Sequence, residues 1–385
     1  MSNGNTIDYQ ALKDAPRLLM EARLKPLQGH RFQPTGFADL GPARYTLPDG
    51  TEMLLVDSVQ SVANRMELAC WDAPAEDLIA ELRGLPYIKI IDANNRHVSN
   101  SLLEAHRINS EYVMKEAWRI LEINGNREIA NKPFSEEFAT EIGYEKDGRV
   151  DWKKFHAGLL KYDPNSLIHG CFLEEIGGRL RATRALSGFI EACGVAVAES
   201  GGVKNNIVQP ELKGGEGNVP LHRTEFTARE IKAYFNLDLA LLRGYGLGHN
   251  PDRKTDGGFE WSDPEKLLIA LSLFKIRRFL STGLRLRTAC DLELDGELTV
   301  TRPGGFAVPS ESDLLAECTQ LIGACKPYFA AAQKDGDFKD RPVTLVEWKP
   351  GKKKSGKGKK SEESDEAEDE NAGDSNTDDQ QDDDE

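Results

Sequence analysis

Residues 229–242, REIKAYFNLDLALL, contain the clearest periodic pattern in the chain. Apolar residues occupy every second position: Ile231, Ala233, Phe235, Leu237, Leu239 and Leu241. The positions between them hold Lys232, Tyr234, Asn236 and Asp238. Because successive side chains of a β-strand point to opposite faces, this pattern predicts a strand that buries one face and exposes the other. One wet face is typical of an antiparallel sheet.

Similar patterns on both sides of this strand predict the other elements. Strands are predicted at 16–27, 85–93, 165–176 and 229–242, hairpins at 43–56 and 289–300, and helices at 57–71, 150–162, 263–280 and 310–325. The two hairpins turn on Pro-Asp-Gly and on Asp295-Gly296. Asp57 and Gln60 form a predicted capping pair, and Asp263 precedes Pro264 in a first turn. Residues 93–150 are polar and irregular, with no regular element predicted.

The order of these elements predicts the fold class. Strand, helix, strand, then strand, helix, hairpin describes a split βαβ unit. The sequence therefore predicts an α+β fold, built on a modified ferredoxin-like (RNA-recognition-motif-like) antiparallel sheet with long insertions. Sheets of this type are common platforms for single-stranded RNA, through aromatic and basic residues and flanking loops.

Composition excludes several classes of protein. The chain has 385 residues, of which 39% are hydrophobic, enough to fill a core. No apolar run approaches membrane length, and the N-terminus lacks a signal-peptide pattern. The six cysteines are scattered without a Cys-x-x-Cys pair, so we expect buried thiols of a reduced cytoplasm and no metal site.

The net charge of −15 is unevenly distributed. Residues 351–385 hold six lysines followed by fourteen acidic residues, a net of −8 that leaves −7 on the first 350 residues. This tail has no apolar residue larger than alanine, so we expect it to be disordered. A solubilising role is the favoured interpretation, and a nucleic-acid mimic that competes for a basic groove is the alternative.

Positive charge is concentrated in three segments of the body. They are residues 274–288, with Lys275, Arg277, Arg278, Arg285 and Arg287; residues 177–185, with Arg179, Arg181 and Arg184; and the opening stretch, with Arg17, Arg23, Lys25 and Arg31. A mildly acidic protein still binds phosphates where such side chains line one groove, because screening confines their field to about 8–10 Å. Ordinary solvated faces are the alternative for each segment.

The loop at residues 24–41, LKPLQGHRFQPTGFADLG, is too rich in Pro and Gly for a regular element and too basic and aromatic for a spacer. Glycine lets a backbone approach phosphates closely, and lysine and arginine supply charge. Phe32 and Phe37 have two interpretations of equal weight: stacking on a base, or anchoring the loop in the core.

Residues 17–41 and 56–72, RLLMEARLKPLQGHRFQPTGFADLG and VDSVQSVANRMELACWD, resemble the start of the backbone subunit of Cascade. Cascade is the RNA-guided interference complex of type I CRISPR systems. The resemblance is to subtype I-U (I-G), the Csb-one family of Cas-seven RAMP proteins. It continues through residues 166–206 and 230–247 and covers residues 14–348. Residues 1–13 are then a flexible N-terminus, and 349–385 a tail particular to this chain.

The resemblance implies a palm of the predicted type with inserted fingers and a thumb. It implies a non-catalytic, cytoplasmic subunit that polymerises head to tail along a guide RNA and presents it to a target DNA strand in antiviral defence. Implied partners are the guide RNA (crRNA), further copies of the chain, a large subunit, a Cas-five/Cas-six-like subunit and a recruited helicase-nuclease. No cofactor is implied.

A subunit that holds any guide sequence grips phosphate and ribose rather than base edges. Thirteen residues are predicted to do so: Lys25, Gln28, Gly29, Arg31, Gln33, Asn64, Arg65, Gly177, Gly178, Arg179, Arg181, Lys204 and Asn205. A surface salt bridge is the alternative for Arg65. The glycine-rich segment 200–218 is predicted to be a finger or thumb, or else a disordered loop.

The main alternative is a RAMP-type endoribonuclease. Relatives in type III systems cut target RNA with an aspartate in the loop after the first strand, and Asp39 lies in the comparable loop here. An Asx turn is the competing interpretation of Asp39. His156 and His169 are expected to be satisfied, buried histidines. Walker, Rossmann and Gly-x-Ser-x-Gly motifs do not occur in the sequence, and a structural module without RNA is the third class.

Overall fold

A computed structural model describes most of the chain, in these ranges: 6–37, 40–115, 117–123, 126–146, 148–178, 180–205, 218–249, 259–334 and 336–349. Side chains at 37, 122–123, 202–205 and 218–222 lie outside this description. Asp39, Arg179 and the tail 350–385 are also outside the described residues, so the predictions made for them are not addressed. The described residues fall in the compact unit Met1–Lys349. The predicted boundaries at 14 and 348 remain predictions.

The described residues form strands and helices in mixed order, an α+β fold. The strands are β1 (Arg17–Pro26), β2 (Gly36–Phe37), β3 (Gly41–Pro42), β4 (Arg44–Thr46), β5 (Glu52–Asp57), β6 (Trp71–Asp72), β7 (Asp77–Leu78), β8 (Tyr87–Ile91), β9 (His97–Asn100), β10 (Ala117–Ile123), β11 (Asn126–Pro133), β12 (Cys171–Leu173), β13 (Leu180–Ala182), β14 (Leu186–Asn205), β15 (Asn218–Asp238), β16 (Arg285–Arg287), β17 (Cys290–Leu294), β18 (Thr299–Arg302) and β19 (Val343–Trp348). The α-helices are α1 (Val59–Leu68), α2 (Glu111–Met114), α3 (Phe134–Glu141), α4 (Trp152–Tyr162), α5 (Pro164–His169), α6 (Leu239–Tyr245), α7 (Asp263–Thr282) and α8 (Glu311–Cys325), with 3₁₀ turns at Ala80–Leu82, Arg107–Asn109 and Lys326–Tyr328.

The periodic stretch at 229–242 lies in β15, at the centre of the larger sheet. The strand order is β16-β17-β1-β15-β14-β5-β4, and β18 also pairs with β1. Strand β1 runs antiparallel to β15, with Leu18 opposite Leu237 and Leu24 opposite Ile231. The predicted apolar face is confirmed from Ile231 to Leu239, all buried. The strand ends earlier than predicted, because the Asp238 carboxylate accepts from Leu241 N and caps α6.

Helices α1 and α7 cover the apolar face of this sheet. Phe235 of β15 meets Phe279 of α7 edge-on at 6.3 Å between ring centroids. Gly188 of β14 lies against the Val62 side chain of α1, where a Cβ would crowd it. The other face carries polar residues and a stacked pair, Phe189 and Tyr234, with ring centroids 5.2 Å apart.

Residues 93–150, for which no element was predicted, contribute to a second sheet. Its order is β11-β10-β19-β8-β9, and β19 pairs in parallel with β8. The interior strand β8, between β19 and β9, is buried along its whole length, whereas β11 at the edge is largely exposed. Edge strands of this kind have little apolar alternation, so their pairing is not visible in local sequence.

Two predicted elements are wrong in kind. Residues 165–176 were predicted as one strand, but Asp163 caps the short helix α5, and Gly170, at φ 84°, separates it from β12. Residues 289–300 were predicted as a hairpin. Instead β17 and β18 each pair with β1, opposite residues 24–26 and 19–21 respectively. Both strands therefore pair with β1 rather than with each other.

Serines cap the starts of α1 and α7. Ser58 caps α1, rather than the predicted pair Asp57 and Gln60, because its hydroxyl accepts from Ser61 N. Ser262 and Glu265 form a complete capping box at the start of α7, which places Pro264 in the first turn as predicted. Within the part of the chain that the structure describes, no helix has the length and apolar character needed to cross a membrane.

Candidate nucleic-acid interface

The loop that follows β1 is held by backbone hydrogen bonds to three elements. Leu27 N donates to Asp291 O at 2.8 Å, and Gln33 N donates to Ala289 O at 2.8 Å. Phe32 exchanges two 2.9 Å backbone bonds with Phe226 of β15, and its side chain is fully buried. Phe32 therefore anchors the loop in the core, and a stacking role for it is wrong. The Phe37 side chain lies outside the described residues.

The loop presents five of the predicted contact residues at the surface. Gln28, Gly29 and Gln33 are exposed, and the φ of 71° at Gly29 is a conformation that favours glycine. Lys25 lies 3.3 Å from Glu293 and 3.6 Å from Asp295, and the Glu293 hydrogen bond raises the pKa of the lysine. Arg31 is half exposed and 2.9 Å from Glu225. The Lys25 ion pairs are exposed to solvent and therefore weak, so a phosphate is able to replace these carboxylates, whereas Glu225, the partner of Arg31, is buried.

A buried carboxylate, Asp57, connects the loop to helix α1. Its Oδ2 accepts from Arg65 Nε at 3.1 Å and from Ser61 Oγ at 3.1 Å, and its Oδ1 accepts from Arg287 Nη2 at 2.8 Å. Arg287 Nη1 also donates to the carbonyl oxygens of Gln33 at 3.0 Å and Val56 at 3.1 Å. Asp57 is fully buried, so both ion pairs are shielded from water. One carboxylate thus fixes β5, α1, β16 and the loop together.

Arg65 faces inward more than the sequence suggested. Its Nη1 donates to the carbonyl of Arg285 at 3.3 Å, and its Nη2 donates to the carbonyl of Leu286. With Nε on Asp57, each nitrogen of the guanidinium has a protein acceptor. The salt-bridge interpretation of Arg65 describes this geometry, while its predicted phosphate contact stays a prediction. The neighbouring Arg285 is exposed, and no ion pair joins it to an acid among the described residues.

Side chains on the exposed face of α1 contact the basic segment at residues 177–185. Asn64 accepts from Gln60 Nε2 at 3.2 Å, and Gln60 Oε1 accepts from Arg184 Nη2 at 2.6 Å. Arg184 follows the small β12–β13 hairpin, where Arg181 lies over the Phe172 ring at 4.7 Å. A continuous series of contacts therefore runs from the loop through Asp57 to α1 and on to Arg184.

The glycines of this hairpin have different surroundings. Gly177 and Gly178 have φ of 76° and 65° in the turn that joins β12 to β13. A Cβ at Gly177 would overlap the Tyr144 hydroxyl, whereas the space around Gly178 is open to 3.9 Å. Lys204 and Asn205 end the long strand β14, opposite Val219 and Asn218, but their side chains lie outside the description.

Three residues of this arrangement were not predicted from the sequence: Asp57, which joins the elements, Arg287, which is its second partner, and Gln60, which links α1 to Arg184. Arg287 was noted within the basic segment 274–288, but the other cations of that segment are dispersed. Lys275 is buried in the core, while Arg277 donates to the carbonyls of Val308 and Pro309. Periodicity along one helix and strand does not reveal which cations meet an acid.

A buried polar cluster lies between α1, α5 and α7. Glu67 accepts two bonds from Arg107, at 2.6 and 2.8 Å, and both side chains are buried. Lys275 Nζ contacts Asn165 Oδ1 at 2.5 Å and His169 Nε2 at 2.9 Å. Burial and the lysine charge hold the pKa of His169 well below its usual range. Its Nδ1 has no hydrogen-bond partner among the described residues, so His169 is only half satisfied.

Among the described residues, the histidines and cysteines considered as alternative sites have separate surroundings. His156 packs on Tyr245 with ring centroids 4.4 Å apart, and burial lowers its pKa to about 4. Four cysteines are buried as predicted, whereas Cys171 and Cys193 are partly exposed. Within the described ranges, no three His, Cys, Asp or Glu side chains come together as a metal site.

Comparison with known proteins finds a family model that matches part of the chain. The family model described as "CRISPR-associated protein GSU0053" matches residues 18–197, the segment that contains the loop, Asp57, α1 and Arg184. The predicted resemblance to a Cas-seven-like CRISPR-associated protein is thereby confirmed, while the subtype stays a prediction. No curated protein matches the chain.

Two solved structures are similar at low identity. A chain of a "CRISPR RNA-guided surveillance complex, pre-nicking" has 13% identity and a TM-score of 0.37, covering 80% of this chain and 89% of that one. The crystal structure of Thermofilum pendens Csc2 has 11% identity and a TM-score of 0.28, covering 84% of this chain and 81% of that one. At these TM-scores neither similarity carries an argument on function.

Proposed function

We propose that this chain, a member of the CRISPR-associated family whose model matches residues 18–197, is a non-catalytic RNA-binding backbone subunit of a Cascade-type complex. It holds the guide RNA by phosphate and ribose, independently of sequence, and presents the bases for pairing with target DNA. Its further partners are other copies of itself, the remaining Cascade subunits and a recruited helicase-nuclease.

The sheet supports a ferredoxin-like palm. Taken in chain order, β1, β14, β15 and β17 are the first to fourth strands, and they lie in the order four, one, three, two. Helix α1 follows the first strand, and α7 follows the third. This is the arrangement of a split βαβ fold with insertions between its elements. On this proposal the hairpin of β14 and β15, paired out to Asn205 and Asn218, is a finger or thumb.

One observation supports the proposed function most directly. The loop after β1, helix α1 and the segment at Arg184 are far apart in sequence, yet the bonds of Asp57 and Gln60 join them. Amides, exposed glycine backbone and cations occur along the described residues of these segments. Such donors suit a ribose-phosphate chain of any sequence.

The proposal is tested by purifying the protein from cells that carry a CRISPR array. Co-purified RNA of uniform length in a large assembly is the expected result. Protein without RNA would contradict the backbone role and leave a structural module. Shortening of added RNA that disappears in Asp39→Ala would establish the endoribonuclease instead. Asp39→Ala is therefore expected to leave both RNA retention and RNA length unchanged.

A further inference from the structure

A cavity lies on the smaller sheet, and the elements that form it are not used in the RNA proposal. It has a volume of about 590 Å³, within the range of small-molecule sites. Ile91, Ile120 and Leu345 contribute apolar surface from three adjacent strands, β8, β10 and β19. The turn before β7 and the segment that contains Phe338 form the walls. Charged and polar side chains outnumber the apolar ones in the lining, so the pocket combines apolar surface with many polar groups.

Lys89 is the polar group in the centre of this sheet. The residue is only 7% exposed, and it lies on β8 opposite Leu345 of β19. Its Nζ donates to the carbonyl oxygen of Glu76 at 2.8 Å and lies 4.9 Å from the centre of the Phe338 ring. Burial lowers the pKa of this lysine. An ammonium has three N–H donors, so the one bond to Glu76 leaves donor capacity toward the cavity.

The other basic groups of the pocket are paired with carboxylates. Arg341 makes two bonds to Asp77, at 2.6 and 2.7 Å, and Arg83 lies 3.3 Å from the same carboxylate. Arg127 is paired with Glu347 at 3.0 Å, and His97 lies 3.6 Å from Glu76. Among the described residues, Lys89 is the one lysine or arginine of this pocket without an ion pair to a carboxylate. A buried charge is normally paired, so the missing partner indicates a ligand.

The charges around the pocket define the ligand. Glu76, Asp77 and Asp337 also line the cavity, and their negative charge disfavours a polyanion such as a nucleic acid. A single carboxylate makes the strongest hydrogen bond available to one ammonium without bringing a second charge near these acids.

We propose that this pocket binds one carboxylate group, which accepts from Lys89 Nζ while the apolar part of the ligand packs on Ile91, Leu345 and Phe338. The carboxylate belongs either to a free organic acid or to an acidic side chain of a protein partner. The proposal is independent of RNA binding, because none of these residues contacts the loop, α1 or Arg184.

Saturation-transfer NMR on the whole protein, with sodium butyrate, a monocarboxylate with an apolar chain, as the probe, tests the site directly. Butyrate is expected to receive saturation from wild type and from Lys132→Met, which removes an exposed lysine from β11 of the same sheet. Lys89→Met replaces the lysine by an uncharged side chain of similar length. It is expected to weaken binding at least about tenfold, since it removes a charge-assisted hydrogen bond. Equal binding by wild type and Lys89→Met would overturn the proposal, as would no binding to wild type.

A second variant keeps the test decisive if Lys89→Met fails to fold. Leu345→Glu places a carboxylate on the strand position opposite Lys89, so it is expected to fold and to abolish butyrate binding by occupying the site from within. Retained binding in Leu345→Glu would contradict the assignment. Inorganic phosphate that binds as well as butyrate would contradict the choice of a carboxylate. N-acetylglutamate amide binding more tightly than butyrate would identify a protein side chain as the source, and the reverse ranking a free acid.

Discussion

Asp57 and Arg287 are 230 residues apart in the sequence, yet Arg287 Nη2 donates to Asp57 Oδ1 at 2.8 Å. Asp57 is fully buried and also accepts from Arg65. The pair joins the end of β5 to β16 and, through the carbonyl of Gln33, to the loop after β1. The placement of the proposed RNA-binding loop therefore depends on a carboxylate that contacts no RNA itself.

Asp57→Ala is expected to lower the free energy of unfolding by about 3–5 kcal/mol, because it leaves two guanidinium groups without their buried partner. Urea unfolding measures this change. Glu81→Ala, which removes an exposed carboxylate, is the matched control, with an expected change within about 0.5 kcal/mol. A loss for Asp57→Ala no larger than the control's would show that Asp57 does not hold these elements together.

Charge reversal at the proposed phosphate contacts is expected to weaken RNA retention equally for unrelated guides. Lys25→Glu, Arg31→Glu and Arg179→Glu each remove one proposed phosphate contact, so the salt slope of binding should fall by about 0.7 for each. Filter binding at several salt concentrations measures both effects, with Lys132→Glu as the control of equal charge change. A loss restricted to particular guide sequences would contradict readout of the backbone alone.

Glu225→Gln is expected to have the opposite effect on RNA. Arg31 forms an ion pair with Glu225 at 2.9 Å, so neutralising this acid makes the guanidinium available to phosphate. We expect affinity to rise severalfold at low salt, and less at high salt because screening weakens the contact. Unchanged affinity at low salt would place Arg31 outside the RNA-binding surface.

Gly177→Ala is expected to cost more stability than Gly178→Ala. Both glycines have positive φ, which costs a residue with a Cβ about 1–2 kcal/mol. Only at Gly177 does the new Cβ also displace the Tyr144 hydroxyl. Thermal unfolding of both variants tests the difference, and the added Tyr144→Ala substitution should bring the costs of the two glycine substitutions together. Equal melting temperatures for the single variants would exclude the clash.

His156 predicts a loss of stability on acidification. Burial lowers its pKa from 6.5 to about 4, so the unfolded chain binds more protons between these values. The contribution of neutral His156 to the free energy of unfolding is therefore complete above pH 6.5 and is lost as the pH falls toward 4. His156→Gln should flatten this part of the pH profile of unfolding free energy by about 1–3 kcal/mol. An unchanged profile would show that His156 is not protected in the folded state.

The sequence by itself determined the central elements of the fold. Alternation in β1 and β15 and helical spacing in α1, α4, α7 and α8 are properties of neighbouring residues, so the strands, the helices and their buried faces were predictable. The likeness of residues 17–41 and 56–72 to the Cas-seven family was also visible, and the family match confirms it. The loop composition indicated a phosphate-binding function, which remains the proposal.

Tertiary structure decided which groups meet. It turned residues 93–150 into part of a second sheet, set β17 and β18 one after the other along β1, and buried Phe32. It also brought Arg65 and Arg287 to Asp57 and left Lys89 without a carboxylate among the described residues. The physical reason is the separation in sequence between the residues that interact. Periodicity reports on residues a few positions apart, whereas strand partners and ion pairs are selected by packing between segments that chain order separates by up to hundreds of residues.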